Sequence, residues 1–532
     1  MAINITFHGA CGIVTGSCFE ISTSRTRVLI DCGMFQGTKS IKDLNYRPFA
    51  FDPKSIQALI LTHAHVDHCG LVPKLVKAGF QGPIIATPPT ADLLTCVLPD
   101  SGYIQESEVM RLNRRNQQRG RPIVEPIYTR KDAEDSLRQV LPKDMNKWIN
   151  VAEGIRIKFW DAGHILGSAS VEMHVSNKGD ATDPAALKLL FSGDIGPGEK
   201  ALQHKPRAPM DIDYLFVEST YGDRERKDRT SIQRRRILRN EIRAGLKAGG
   251  MILIPAFAIE RTQEILADLD ALFDAGELPV LPIFVDSPLA TKTTKVFSKH
   301  LHETLKNHPT HPFLRDNVHY VENTEASKSL SRLGSGAIIM AGSGMCDAGR
   351  IRHHLKRYLS RTNTTLLLVG YQAPGTLGRI IAEGAKMVRI HGEEVAVGAR
   401  IRMLDEYSGH ADQKGLISWI RARAPIQRGI YLIHGEDDAR STLADLLAET
   451  GFEPRQIHLP VVGQTERLTA KGPKTIRVHM PIDVKSVAES DWHNTYASTI
   501  LDLRRKLDSL RNDKEKQKLL QRIHSLLEGK RR

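Results

Sequence analysis

The sequence predicts an α/β protein in which a parallel-sheet domain is inserted into a first α/β domain, with a helical tail behind both. Between residues 213 and 395, apolar strand-type runs alternate with helical stretches, and such alternation implies a parallel sheet covered on both faces. The segments on either side share another texture: short apolar strands run into glycine-rich turns that carry histidine or aspartate. At 532 residues the chain exceeds the roughly 250–300 at which a single core stops growing, so two or more domains are expected.

Residues 1–212 read as the first part of the outer domain. "IQALIL" (56–61) is a buried-type strand, "GLVPKLVKAGF" (70–80) is mostly helix, and strands resume over 155–175 and 187–196. "RLNRRNQQRGR" (111–121) is a basic helix end and loop without aromatics. Residues 213–395 form the inserted domain, with strands such as "YLFVES" (214–219) and "AIIMAGSG" (337–344) and helices over 229–248 and 261–276. Residues 396–470 return to the outer domain through "YSGHADQ" and "LIHGED". Residues 471–532 are a mostly helical extension, and over 498–532 the positions Ile500, Leu503, Leu507 and Leu510, then Leu519 and Ile523, are spaced for an amphipathic helix. A helix docked on its own domain and a helix that dimerises or binds a partner protein both fit that spacing.

The formal net charge of +14 favours a polyanionic partner or an anionic substrate, although charge alone does not separate nucleic acid from an acidic membrane surface. No run approaches the roughly 18 apolar residues of a membrane span, so no membrane association is expected. The first residues lack the basic and apolar regions of a signal peptide. Six cysteines without a CxxC pair point to a reducing, cytoplasmic setting rather than a disulfide framework.

"LTHAHVDHCG" (61–70) holds the densest chemistry. His63, His65, Asp67 and His68 fall within six positions at the end of a strand, where His63 and His65 point the same way. Four ligand-type side chains so placed point to a metal site rather than a structural polar cluster. Neutral imidazole and carboxylate suit zinc at about 2.0–2.2 Å per bond. One segment supplies only part of two coordination spheres, so further ligands must come from elsewhere. Candidates stand at other strand ends: Asp31 in "LIDCGMFQG", His164 in "DAGHILGSA", Asp194 in "FSGDIGPG", Glu218 in "VESTYGD", His410 and His434. Polar residues just beyond apolar strands are where α/β enzymes gather chemistry.

In this order the motifs resemble those of the metallo-β-lactamase superfamily, and within it the β-CASP nucleases, over about residues 1–465. The resemblance implies an αββα sandwich with an inserted β-CASP domain. It implies one metal on His63, His65 and His164, a second on Asp67, His68 and His434, and Asp194 bridging them. Two zinc ions, with manganese as the substitute, would stand about 3.5–4 Å apart and hold a hydroxide against a phosphodiester. Asp31 would orient the ligands, and His410, oriented by Glu218, would protonate the leaving oxygen. Asp67 would serve both as ligand and in the catalytic group. In the inserted domain, Ser343, Gly344 and Met345 in one turn and Thr376 and Gly378 in another would hold RNA phosphates through exposed N–H groups, although a glycine-rich turn by itself is usually only a turn.

The implied activity is hydrolysis of single-stranded RNA to 5′-phosphate and 3′-OH ends, in endonucleolytic or 5′→3′ exonucleolytic mode. Two rivals stand beside it. DNA nucleases of the same family carry valine where this chain has His434, and inactive scaffold relatives lose metal ligands that this chain keeps.

Overall fold

The structure, a computed structural model, describes residues 3–198, 200–226, 230–300, 311–370, 372, 375–478, 503, 506–507, 510 and 512–527. Among them, two large sheets pack face to face. The first runs, edge to edge, β23 (Lys474–Val478), β22 (Gln464–Leu468), β1 (Ile3–Phe7), β2 (Phe19–Ser22), β3 (Arg27–Ile30), β4 (Ala58–Ile60), β5 (Ile84–Ala86) and β6 (Val140–Pro142). The second runs β21 (Ile457–His458), β20 (Ile426–Ile433), β11 (Ile212–Glu218), β10 (Leu187–Phe191), β9 (Ala169–Val175), β8 (Ile155–Asp161) and β7 (Trp148–Ala152).

Period-2 patterning faces the sheets toward each other. Ile3, Ile5 and Phe7 of β1 and Ile155, Ile157 and Phe159 of β8 are buried, and their neighbours are partly exposed. Phe191, Phe216 and Tyr431 stack across β10, β11 and β20, with ring centroids 4.4 and 4.8 Å apart. Each such ring contributes roughly 1.5–3 kcal/mol by burial.

The third sheet is all parallel: β14 (Val318–Tyr320), β13 (Ile283–Asp286), β15 (Ile338–Ala341), β12 (Ile252–Pro255), β16 (Thr365–Val369) and β19 (Arg400–Leu404). Its central strands are buried along their whole length, as expected of strands covered on both faces. A small antiparallel pair, β17 (Met387–Ile390) and β18 (Glu393–Ala396), stands apart. Strand membership moves from one sheet to another at points other than residues 213 and 395. β11 belongs to the sandwich and β19 to the parallel sheet, because apolar texture alone does not tell a strand which neighbour it will pair with.

"RLNRRNQQRGR" begins inside a 31-residue helix, Pro88–Gln118. In the tail, the helix Asp513–Leu527 is described, with Leu520 46% exposed. Ile500 and the start of the expected 498–532 helix lie outside the described residues, as do Tyr371, Ala373 and Pro374 of the 370–379 turn. All six cysteines are free thiols. No described helix is long and apolar enough to cross a membrane.

Candidate functional site

The site forms where parallel strands of both sheets end together. β3 and β4 are parallel neighbours; Asp31 follows the first and the Thr62–His65 turn the second. Asp67 and His68 lie in the short helix Val66–Cys69. In the facing sheet β10, β11 and β20 run parallel, so Asp194, Glu218 and His434 arrive side by side at their C-terminal ends. His164 enters from the β8–β9 loop, and His410 from the loop after β19. Asp31 and His434 hold positive φ angles of 60° and 47°, a backbone strain typical of residues aimed by function. Their own backbone bonds hold them there: Asp31 N–H donates to Ile60 O at 2.9 Å, and His434 N–H to Ala10 O at 2.6 Å.

Two groups that could each hold a metal ion result. His65 Nδ1 stands 3.1 Å from Nε2 of both His63 and His164, and Asp194 Oδ2 stands 3.5 Å from the same two nitrogens. In the second group, His68 Nε2 is 3.2 Å from His434 Nε2 and 3.2 Å from Asp194 Oδ1, and Asp67 Oδ2 is 3.6 Å from His434 Nε2. Donors bound tetrahedrally at about 2.0–2.2 Å lie about 3.3–3.6 Å apart, so both groups have the span of a coordination shell. Asp194 gives one oxygen to each. Its Oδ1 is buried without a hydrogen bond of acceptable geometry, a costly state that a cation between the groups would relieve.

The outward nitrogens are fixed by partners, which selects the tautomer whose other nitrogen faces the centre. His68 Nδ1 donates to Asp31 Oδ2 at 2.7 Å. His164 Nδ1 donates to Gly409 O at 2.8 Å. Thr62 Oγ1 donates to Asp31 Oδ2 at 2.8 Å and receives His63 Nδ1 at 3.0 Å. Thr220 Oγ1 receives His434 Nδ1 at 3.1 Å. Sequence reasoning found Asp31 and missed Thr62, Thr220 and the Gly409 carbonyl. Thr62 could have been found, since it directly precedes the first histidine of the motif; a backbone carbonyl leaves no mark in sequence.

Burial drives the His63 and His164 pKa values well below the ordinary range and that of His65 to about 4, keeping them neutral as ligands must be. Burial also opposes charge on His68, but the Asp194 and Asp31 carboxylates outweigh it and raise that pKa. For Asp67, burial acts upward, and the His434 hydrogen bond with the His68 charge brings the carboxyl down to about 2.

His410 stands beside this centre. Its Nδ1 lies 3.1 Å from Glu218 Oε2 and 3.9 Å from Asp194 Oδ2. Burial works against its charge, and the Glu218 and Asp194 carboxylates raise its pKa above the ordinary value. Glu218, fully buried, is held in turn by the Ile195 N–H.

The two phosphate-type turns do meet, but much of their backbone is already paired. Ser343 N–H donates to Ala348 O at 3.2 Å, and Gly378 N–H to Met345 O at 3.0 Å. Gln372 Nε2 donates to Gly344 O at 3.0 Å, and Thr376 Oγ1 caps the Arg379 N–H at 3.3 Å.

Family models match the chain in three stretches: the metallo-beta-lactamase superfamily over residues 11–206, the Beta-Casp domain over 262–381, and the Zn-dependent metallo-hydrolase RNA specificity domain over 394–460. The chain is 36% identical to Ribonuclease TTHA0252 of Thermus thermophilus over 458 residues, covering 85% of this chain and 97% of that relative. The chain belongs to the β-CASP family of the metallo-β-lactamase superfamily. This β-CASP protein is also 30% identical to Transcription termination factor FttA of Methanosarcina mazei, over 83% of its own length and 68% of the relative's. It is 31% identical to an RNase J-like protein of Methanocaldococcus jannaschii, over 81% of its length and 92% of the relative's. As in the family, its His/Asp cluster is compatible with a metal site.

Proposed function

We propose that this β-CASP protein is a metal-dependent ribonuclease that hydrolyses single-stranded RNA to 5′-phosphate and 3′-OH ends. The observation that carries the reading is Asp194, whose two oxygens face two different histidine groups, with the His410–Glu218 pair alongside. His63, His65 and His164 would hold one zinc ion and Asp67, His68 and His434 another, with Asp194 shared; the all N/O donor set suits zinc and admits manganese. Bound there, two metals would supply Lewis-acid charge to the phosphate and an activated water.

The chain's own groups do the rest. Asp31 and Thr62 keep the ligand imidazoles in the tautomer that presents a lone pair inward. His410, held by Glu218, donates a proton to the 3′-oxygen as it leaves, and the raised pKa keeps that proton available. The relatives' names, the RNA specificity match over 394–460 and the +14 charge support RNA as substrate. Gly344 and Met345 would contribute N–H groups to its phosphates. We place the protein in the cytoplasm and assign the tail, whose described helix is Asp513–Leu527, to a homodimer or partner-protein contact; removal of 498–532 should split a homodimer, and an unchanged oligomeric mass would favour a helix docked on its own domain or bound to another protein.

The test is incubation with 5′- and 3′-labelled RNA and matched DNA, with and without chelator. Chelator-sensitive cleavage of RNA well ahead of DNA is expected, and the two labels read endonucleolytic against 5′→3′ cutting. Equal or better cleavage of DNA would overturn the substrate assignment.

A further inference from the structure

Where the loop after β10 meets the first helices of the parallel sheet, a set of charged side chains lies buried. Several are well paired. Arg234 grips Asp268 through Nε–Oδ2 at 2.7 Å and Nη2–Oδ1 at 3.2 Å, and the Tyr407 hydroxyl donates to the same carboxylate at 2.8 Å. Lys200 Nζ donates to His164 O at 2.7 Å, and Gln203 Nε2 to Glu260 Oε2 at 3.0 Å.

Arg261, at the start of the helix Arg261–Asp274, is not, and neither are Glu260 Oε1 and the two Glu264 oxygens, which are buried without a hydrogen bond. Arg261 is 8% exposed, and its Nε and Nη1 make no hydrogen bond. Its ion-pair contact, Glu264 Oε2, stands 3.8 Å from Nη1, beyond hydrogen-bond reach. Glu264 Oε1 stands 3.4 Å from Arg234 Nη1, again without a hydrogen bond, so no Glu264 oxygen closes on the Arg261 edge. A buried guanidinium with open donors is costly unless an anion completes it.

Its surroundings place that open edge beside His410. A Cβ on Gly370 would lie 3.9 Å from Arg261 Nε and Nη2; one on Gly409 would lie 3.9 Å from Nη2 and 3.0 Å from His164 Cε1. The guanidinium edge therefore runs along two glycines, one directly before His410 and the other opening the 370–379 turn. Gly370 holds φ +107°, where a side chain would be strained as well as in the way. Arg226 brings a second cation to the same side of His410: it lies over the Tyr221 ring at 5.3 Å and donates to the His410 carbonyl. A planar donor fork in such a place matches a phosphate.

We propose that Arg261 is a substrate-positioning residue that holds the RNA phosphate one nucleotide upstream of the scissile one. The proposal rests on the ribonuclease reading. If His410 protonates the leaving 3′-oxygen, the leaving nucleotide lies on the His410 side, and its own 5′-phosphate falls where Gly370 and Arg261 stand.

The test uses RNA with one uncharged methylphosphonate linkage immediately upstream of the site cut by the wild-type enzyme, beside the all-phosphate RNA. The wild type should lose roughly tenfold to a hundredfold in kcat/KM on the modified RNA, mainly through KM. Arg261→Gln should show a similar loss on ordinary RNA and little further loss on the modified one, with metal content unchanged. If the modification costs Arg261→Gln as much as it costs the wild type, the proposal is overturned. Should that variant fold poorly, Arg261→Lys decides: its penalty from the modified linkage must be smaller than the wild type's, because ammonium lacks the fork. Failure of the underlying reading looks different, since the zinc-loaded wild type would then cut no RNA. In that case RNA binding by the metal-free protein still tests Arg261: Arg261→Gln should lower the salt dependence of log K by about one, and an unchanged slope would sink the proposal.

Discussion

The ligand cluster and the paired turns at Ser343 and Gly378 both stand at the ends of parallel strands, yet they are built in opposite ways. In the cluster, side chains converge and their outer atoms are tied down by Asp31, Thr62, Thr220 and the Gly409 carbonyl; the inner atoms are left facing one another. In the turns, the Ser343 and Gly378 N–H groups close on neighbouring carbonyls, and the donors proposed for a phosphate are the Gly344 and Met345 N–H groups. Side chains converging as they do in the cluster leave polar atoms without ordinary partners, as Asp194 Oδ1 shows.

The contrast is most sharply tested at Asp194. Replacing Asp194 with Ala removes the atom pair common to both groups, so metal content by elemental analysis and RNA cleavage should fall together to background. Retention of two ions per chain would break the shared-ligand assignment. His410→Ala comes next: it should keep the metals and bind RNA nearly as tightly, yet lose about 10²–10⁴-fold in rate. An RNA with a sulfur leaving atom at the 3′-bridging position needs little protonation and should restore much of that rate in His410→Ala but not in Asp194→Ala, with zinc and manganese run side by side. No rescue would remove His410 from proton donation.

Asp31→Asn keeps the size of the side chain and weakens its hold on His68, so zinc affinity should drop about 10–100-fold. Competition against a chelator reads it, and excess zinc should recover activity; an affinity equal to wild type would show that Asp31 does not orient the ligand. The smallest effect is expected in the turn. The Ser343 hydroxyl accepts from the Ala348 N–H at 3.2 Å, so Ser343→Ala should change KM for RNA by less than about threefold, in the range of ordinary surface substitutions. A large rise in KM would make the Ser343 side chain itself a phosphate contact and weaken the contrast.

The same difference explains what could be read in advance. His63, His65, Asp67 and His68 announce themselves as candidates because side-chain identity and spacing carry the chemistry, whereas Asp194 and His434 are weak candidates at strand ends that gain a role only through the motif order of the family. Alternating strands and helices gave away a parallel sheet because burial on both faces demands continuous apolar runs. Pairing partners were not legible: β11 and β19 are apolar strands like their neighbours, and their sheet is chosen by long-range packing. The Arg261 environment was equally hidden, because an open donor is a property of what surrounds the side chain.

His68 and His434 meet across 366 positions of chain, and His434 is seated by a bond to the Ala10 carbonyl. The first residues of the protein therefore wait for almost the last of the sandwich before the second ligand group exists. During synthesis, domains fold as units from the N-terminal side, and the parallel sheet emerges between the two halves that must join. A nascent chain still short of residue 434 lacks a complete second group, so the candidate site is assembled only after the parallel sheet between its two halves has been made.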